Sequence, residues 1–147
     1  MRNVLTAIAV ISLLGCRDSH SLDANNEIKS IVRILDQAER LKLSKTDSSL
    51  FFAHQALNSS KESDYDEGIG IASLIIGEIC YEKGEYKKAN SFLLESIEIF
   101  EKYENFSALG KAYNFIGLIF QSNGRFDLAR SNYSKALKVF ELSNDSK

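Results

Sequence analysis

The side chains able to carry acid–base, nucleophilic or metal chemistry are few and scattered in this chain. His20 and His54 are its two histidines, and Cys16 and Cys80 its two cysteines. Metal ligation and general-base catalysis need such groups to converge. His20 lies in the polar stretch "RDSHSLDANNE" with no partner at ligand spacing. His54 stands between Ala53 and Gln55, again without a second His, Cys or paired carboxylate nearby. "ESDYDEG", residues 62–68, collects four carboxylates before Gly68. It is no calcium loop: the glycine is out of register, and no bidentate Glu follows where one is required. Its acids instead suit a polar turn that leads into the N-terminus of a helix. No phosphate-cradling loop, Gly-x-Ser-x-Gly elbow or His-Glu-x-x-His pair occurs. The expectation is a protein that is not an enzyme, with no catalytic, metal or cofactor-binding residues and no cofactor.

The remaining reactive group, Cys16, has a different context. The chain opens "MRNVLTAIAVISLLGC". One basic residue, Arg2, precedes an apolar run from Val4 to Leu14, the layout of a signal peptide. Arg17 and Asp18 end the run before the roughly 20 apolar residues that a membrane-crossing helix needs. Leu13-Leu14-Gly15-Cys16 resembles the bacterial lipobox. That resemblance implies that residues 1–15 are removed and that Cys16 becomes a lipidated N-terminus, its thiol in a thioether to diacylglycerol. Two or three acyl chains make a stable membrane anchor. A plain cleaved signal peptide with a stray cysteine, or an uncleaved anchor, are the alternatives. Arg17, where Asp would favour inner-membrane retention, leans toward the outer membrane of a bacterial cell envelope. Residues 16–25 then read as a tether.

The bulk composition fits one modest domain. Of 147 residues, 44% are hydrophobic and 26% charged, and there is no proline, which favours a largely helical chain. A formal net charge of -2 gives no basic footprint for nucleic acid.

What must position any site is a repeat of forty residues. With that shift Gly70 meets Gly110, Ala72 meets Ala112, and Ile76-Gly77 meets Ile116-Gly117. Ile79 meets Ile119, Gly84 meets Gly124, Ala89 meets Ala129, and Phe100-Glu101 meets Phe140-Glu141. Glycine in a helix interior costs roughly 1 kcal/mol relative to alanine, so its recurrence needs a reason. Gly77 and Gly117, mid-helix, would let a neighbouring helix approach. Gly84 and Gly124, each at the end of an apolar-periodic run, would stop the helix with a positive φ. Tyr86 and Phe126 then begin a second helix. Its apolar residues recur at helical spacing, through Phe92, Leu93, Ile97 and Phe100 in one copy. Cys80, at a core position of the first helix, reads as a small buried hydrophobe.

The motif resembles the tetratricopeptide repeat. One copy reads Ile76-Gly77, Cys80, Gly84, Tyr86, Ala89, Leu93, Ser96; the next reads Tyr113, Ile116-Gly117, Phe120, Gly124, Phe126, Ala129, Tyr133, Ala136. The family's usual proline after the second helix is missing, and forty exceeds the ordinary period of about 34. A worn first copy lies upstream. Its first helix would be "NEIKSIVRILDQAERLKL", with Gln37 and Ser44 in the places of the two glycines, and Asp47 or Ser48 would cap its second.

The resemblance implies an all-α, right-handed superhelical stack of about three helix hairpins, over 26–64, 65–104 and 105–143, with a tail at 144–147. Packing would rest on Gly77, Gly84, Ala89, Gly117, Gly124, Ala129 and Ala136. It further implies a concave groove that binds a peptide or helix of a partner protein. Its expected lining is Ile71, Leu74, Glu78, Tyr81, Lys111, Asn114, Leu118 and Gln121. The Lys and Asn clamp that some members use for a C-terminal carboxylate is not assembled. The partner itself is not named by the residues. Long-period repeats also resemble the sensor portions of histidine kinases and helix-turn-helix regulators, so a regulatory fragment is the alternative. With no capping helix after the third hairpin in this sequence, its last apolar face is a candidate for self-association.

Overall fold

Residues 23–145 are described by a computed structural model of the chain. They hold six helices and no strand: α1 over residues 23–41, α2 Thr46–Glu62, α3 Asp66–Glu82, α4 Tyr86–Tyr103, α5 Phe106–Ser122 and α6 Phe126–Asp145. Helix is thus already present at residue 23, within the stretch read as a tether, and α6 runs into the stretch read as a tail. The signal segment and Cys16 lie outside the described residues.

The turns follow from the backbone hydrogen bonds that each helix end must satisfy. Gly84 and Gly124 take φ values of 75° and 71°. The Glu85 N–H donates to the Cys80 carbonyl at 2.8 Å and the Gly84 N–H to the Tyr81 carbonyl at 2.9 Å. Arg125 and Gly124 repeat this with Phe120 and Gln121 at 2.9 and 3.0 Å. A left-handed residue after the helix thereby satisfies carbonyls that would otherwise be orphaned. The first hairpin, which has Ser44 at this place, closes differently. The N–H groups of Ser44 and Lys45 both donate to the Leu41 carbonyl, at 3.1 and 2.8 Å.

The cap expected at Asp47 or Ser48 is not formed. Lys45 occupies the N-cap position of α2 without a side-chain hydrogen bond, and Asp47 falls inside the first turn. Its carboxylate faces the next hairpin and accepts from Lys83 Nζ at 2.7 Å. Asp66 and Glu67 sit in the first turn of α3, as the acidic stretch suggested.

Each hairpin packs on its neighbour as well as on itself. α3 meets α4 within its hairpin, α2 on one side and α5 on the other, and α4 meets α5. α3 is therefore central, and residues 72–80 are buried without interruption. Small residues set the crossings. A Cβ on Gly77 would lie 2.7 Å from Leu93 Cγ of α4, and one on Gly117 2.5 Å from Tyr133 Cε1 of α6. Ala89, Ala129 and Ala136 are all buried. Ser49, in the place of Ala89, is buried too, and its hydroxyl donates to the Ala38 carbonyl at 2.7 Å, tying α2 to α1.

Candidate functional site

Three helices, α1, α3 and α5, together line one cavity of about 300 Å³. Each is the first helix of its hairpin, so one face of each recurs along the stack. Leu35, Ile71, Leu74 and Ile75 give the cavity an apolar floor; Asp36, Glu39, Asn105 and Lys111 give it a polar border. Val32 is 39% exposed at its mouth. An apolar hollow with a few oriented polar groups is what a peptide side chain needs for affinity and orientation.

Glu78 lies in this wall and is buried. Its carboxylate accepts from Lys42 Nζ, at the end of α1, and Lys42 also reaches Glu39 at 2.9 Å. Burial raises the Glu78 pKa above the usual carboxylate value, while Lys42 opposes the rise. For Lys42 burial acts downward, but its bonds to Glu78 and Glu39 outweigh it, and its pKa is raised. The pair thus fixes the end of α1 against α3 from inside the groove wall, where water competes poorly.

Of the residues expected to line the groove, Ile71, Leu74, Glu78 and Lys111 come together in this cavity. Tyr81 is half-buried further along α3, its ring 5.7 Å from that of Tyr86 and 5.6 Å from that of Phe115. Asn114 and Leu118 are half-buried on α5. Gln121 lines a different cleft with residues of α6, and its side-chain carbonyl accepts from the Tyr133 hydroxyl at 2.5 Å. The contribution of α1 was not foreseen from the sequence. Val32, Leu35, Asp36 and Glu39 recur at helical spacing, and that spacing was the available signal.

The chemistry-bearing residues remain apart. His54 is exposed, with its ring edge-on to Phe92 at 6.0 Å. Cys80 is a buried free thiol, its pKa raised by burial. Among the described residues no group of three or more His, Cys, Asp or Glu could hold a metal. Nor, among them, is any helix long and apolar enough to cross a membrane.

Comparison with known proteins finds two similarities. The tetratricopeptide repeat matches residues 110–141, which begin at Gly110 and span most of the third hairpin. Response regulator aspartate phosphatase I of Bacillus subtilis (strain 168) is 34% identical over 103 residues. That alignment covers 59% of this chain and 26% of the relative, so the chain spans only a part of that protein's length. No solved structure matches. The described residues are thus an all-α stack of helix hairpins in a forty-residue register, and the third hairpin is similar to a tetratricopeptide repeat.

Proposed function

We propose that the chain is a binding scaffold and not an enzyme, one that takes a peptide or a helix of a partner protein in the groove of α1, α3 and α5. The observation that carries this reading is the cavity itself: an apolar floor of Leu35, Ile71, Leu74 and Ile75 with carboxylates and Lys111 at its border. Lipid on Cys16 would hold the scaffold at a membrane of the bacterial envelope, the outer one in preference, and the lipobox resemblance supports this part. Two experiments test the reading. A photo-crosslinking side chain at Ile71 or Lys111 should capture one discrete partner in cells, and the same group at exposed Leu94 should not. Equal capture from both positions counts against the groove. Radiolabelled fatty acid should enter the wild-type chain and be absent from Cys16→Ala; no label in either removes the anchor and leaves the groove reading standing.

The similarity to a response regulator phosphatase favours a second reading, in which the repeats are the regulatory part of a signalling protein. Coding sequence that continues beyond Lys147 into an output domain decides for it.

A further inference from the structure

The two junctions between hairpins carry opposite charge although the repeat aligns them. Where the first hairpin meets the second, Asp47 of α2 accepts from Lys83, just past α3, at 2.7 Å. Glu85 adds to the negative charge around Lys83. Forty residues on, Lys87 stands in the place of Asp47, Asn123 in that of Lys83 and Arg125 in that of Glu85. A cation with two acids about it has become an amide with two cations about it. These turns border a surface cleft of about 660 Å³. Tyr86, Lys87 and Asn90 line it from α4, and Phe120, Asn123 and Arg125 from the end of α5 and the turn that follows.

No carboxylate of the described residues completes this cleft. Glu85, next to it, pairs with Lys88 at 2.8 Å, and Asp127 lies 3.8 Å from Arg130. Among the described residues Lys87 forms no ion pair, and the Arg125 guanidinium lies over the Phe120 ring at 5.3 Å with no carboxylate partner. By the forty-residue register a further hairpin would meet Asp127, the next residue in the series of Asp47 and Lys87, and leave this cleft as it is.

The lining states what fits. Lys87 and Arg125 supply the charge for a carboxylate, and the side-chain amides of Asn90 and Asn123 can donate to its oxygens. Tyr86 and Phe120 offer ring faces to an aromatic or aliphatic side chain beside it. A free inorganic anion would leave those rings unused. Charge complementarity and the rings together select an acidic peptide segment. We infer that this cleft docks an acidic segment of a partner protein. Its Asp or Glu side chain takes at Lys87 and Arg125 the place that Asp47 takes at Lys83, and a neighbouring apolar side chain rests on Tyr86 and Phe120. None of these residues lines the cavity of α1, α3 and α5, so the cleft is a second contact site.

Titration of the isotope-labelled full chain with the end-capped peptide Gly-Phe-Asp-Glu-Phe-Gly, followed by amide chemical shifts, tests this. The expected result is saturable shifts centred on the cleft residues Tyr86, Lys87, Asn90, Phe120, Asn123 and Arg125. The neutral peptide Gly-Phe-Asn-Gln-Phe-Gly should bind severalfold more weakly. Lys87→Glu or Arg125→Glu should weaken binding of the acidic peptide by roughly tenfold, with the helical circular dichroism unchanged. Asn123→Asp, which sets a carboxylate of the chain's own beside the two cations, should weaken it too. No saturable shifts, shifts centred elsewhere, equal affinity for the two peptides, or affinity unmoved by both glutamate variants would each overturn the inference. So would the same shifts with sodium acetate at the peptide's concentration, which would assign the cleft to a free anion. None of these outcomes bears on partner capture at Ile71.

Discussion

Gly77 and Gly117 occupy the same place in their repeats and have different neighbours. The first faces Leu93, a fully buried side chain, and a Cβ would press on its branch point at 2.7 Å. The second faces the ring of Tyr133, half-buried beside a cleft into which it can move. Alanine gains up to about 1 kcal/mol of helix propensity at either site. Overpacking costs about 1–3 kcal/mol where nothing can yield. Gly77→Ala is expected to lower stability and Gly117→Ala to change it little, as urea titrations of both variants would show. The partly buried ion pair of the cavity wall makes a second residue-scale prediction. The folded-state pKa of Glu78 is raised from 4.5, chiefly by burial. The stability this confers is complete below the unfolded value and is lost as pH rises through the folded one. Lys42→Met removes the main opposing charge, raises that pKa further and extends the loss toward neutral pH. Breaking a fully buried pair costs about 3–5 kcal/mol, and the cost here is smaller because Lys42 is only partly buried. The variant should therefore fall furthest behind the wild type at pH 8 and recover part of the deficit at pH 5. An equal deficit at both values would show that Glu78 does not titrate between them.

The helices differ most in how they end. α3 and α5 stop at glycines in the left-handed region, and a Cβ at Gly84 or Gly124 would meet nothing within 4 Å. The turns between hairpins use side-chain-bearing residues in that region instead, Asp64 at φ 50° and Glu104 at φ 54°. Such a conformation costs an L-residue roughly 1–2 kcal/mol, and glycine escapes most of it at some expense in unfolded-state entropy. Glu104→Gly is expected to stabilise the chain by about 0.5–1 kcal/mol, read as a rise in thermal midpoint. A fall would mean that Glu104 makes a contact worth more than its backbone strain. The left-handed glycines were legible because glycine is the common residue there. Asp64 and Glu104 were not, because nothing in their identity separates a strained turn from an ordinary polar one.

At the scale of the molecule, stability should be graded along the stack, since each hairpin leans only on its neighbours. α3 has helices on three sides, and residues 72–80 are wholly buried. Amide hydrogen exchange is expected to be slowest there and faster in α1 and the second half of α6. Uniform protection from α1 to α6 would instead indicate a single cooperative block. The period of forty, the glycine stops and the alanine crossings were all readable in the chain, because helix periodicity and backbone conformation are local properties of residue type. So was the tetratricopeptide-like motif of the third hairpin, since it is a list of small and large positions at fixed separations. What tertiary structure decided was which of the recurring faces meet. It brought α1 into the groove, turned Gln121 away toward α6, and set Lys42 against Glu78 across 36 residues. The physical reason is that a repeat dictates each helix's own pattern, whereas the neighbour each face meets depends on how successive hairpins dock.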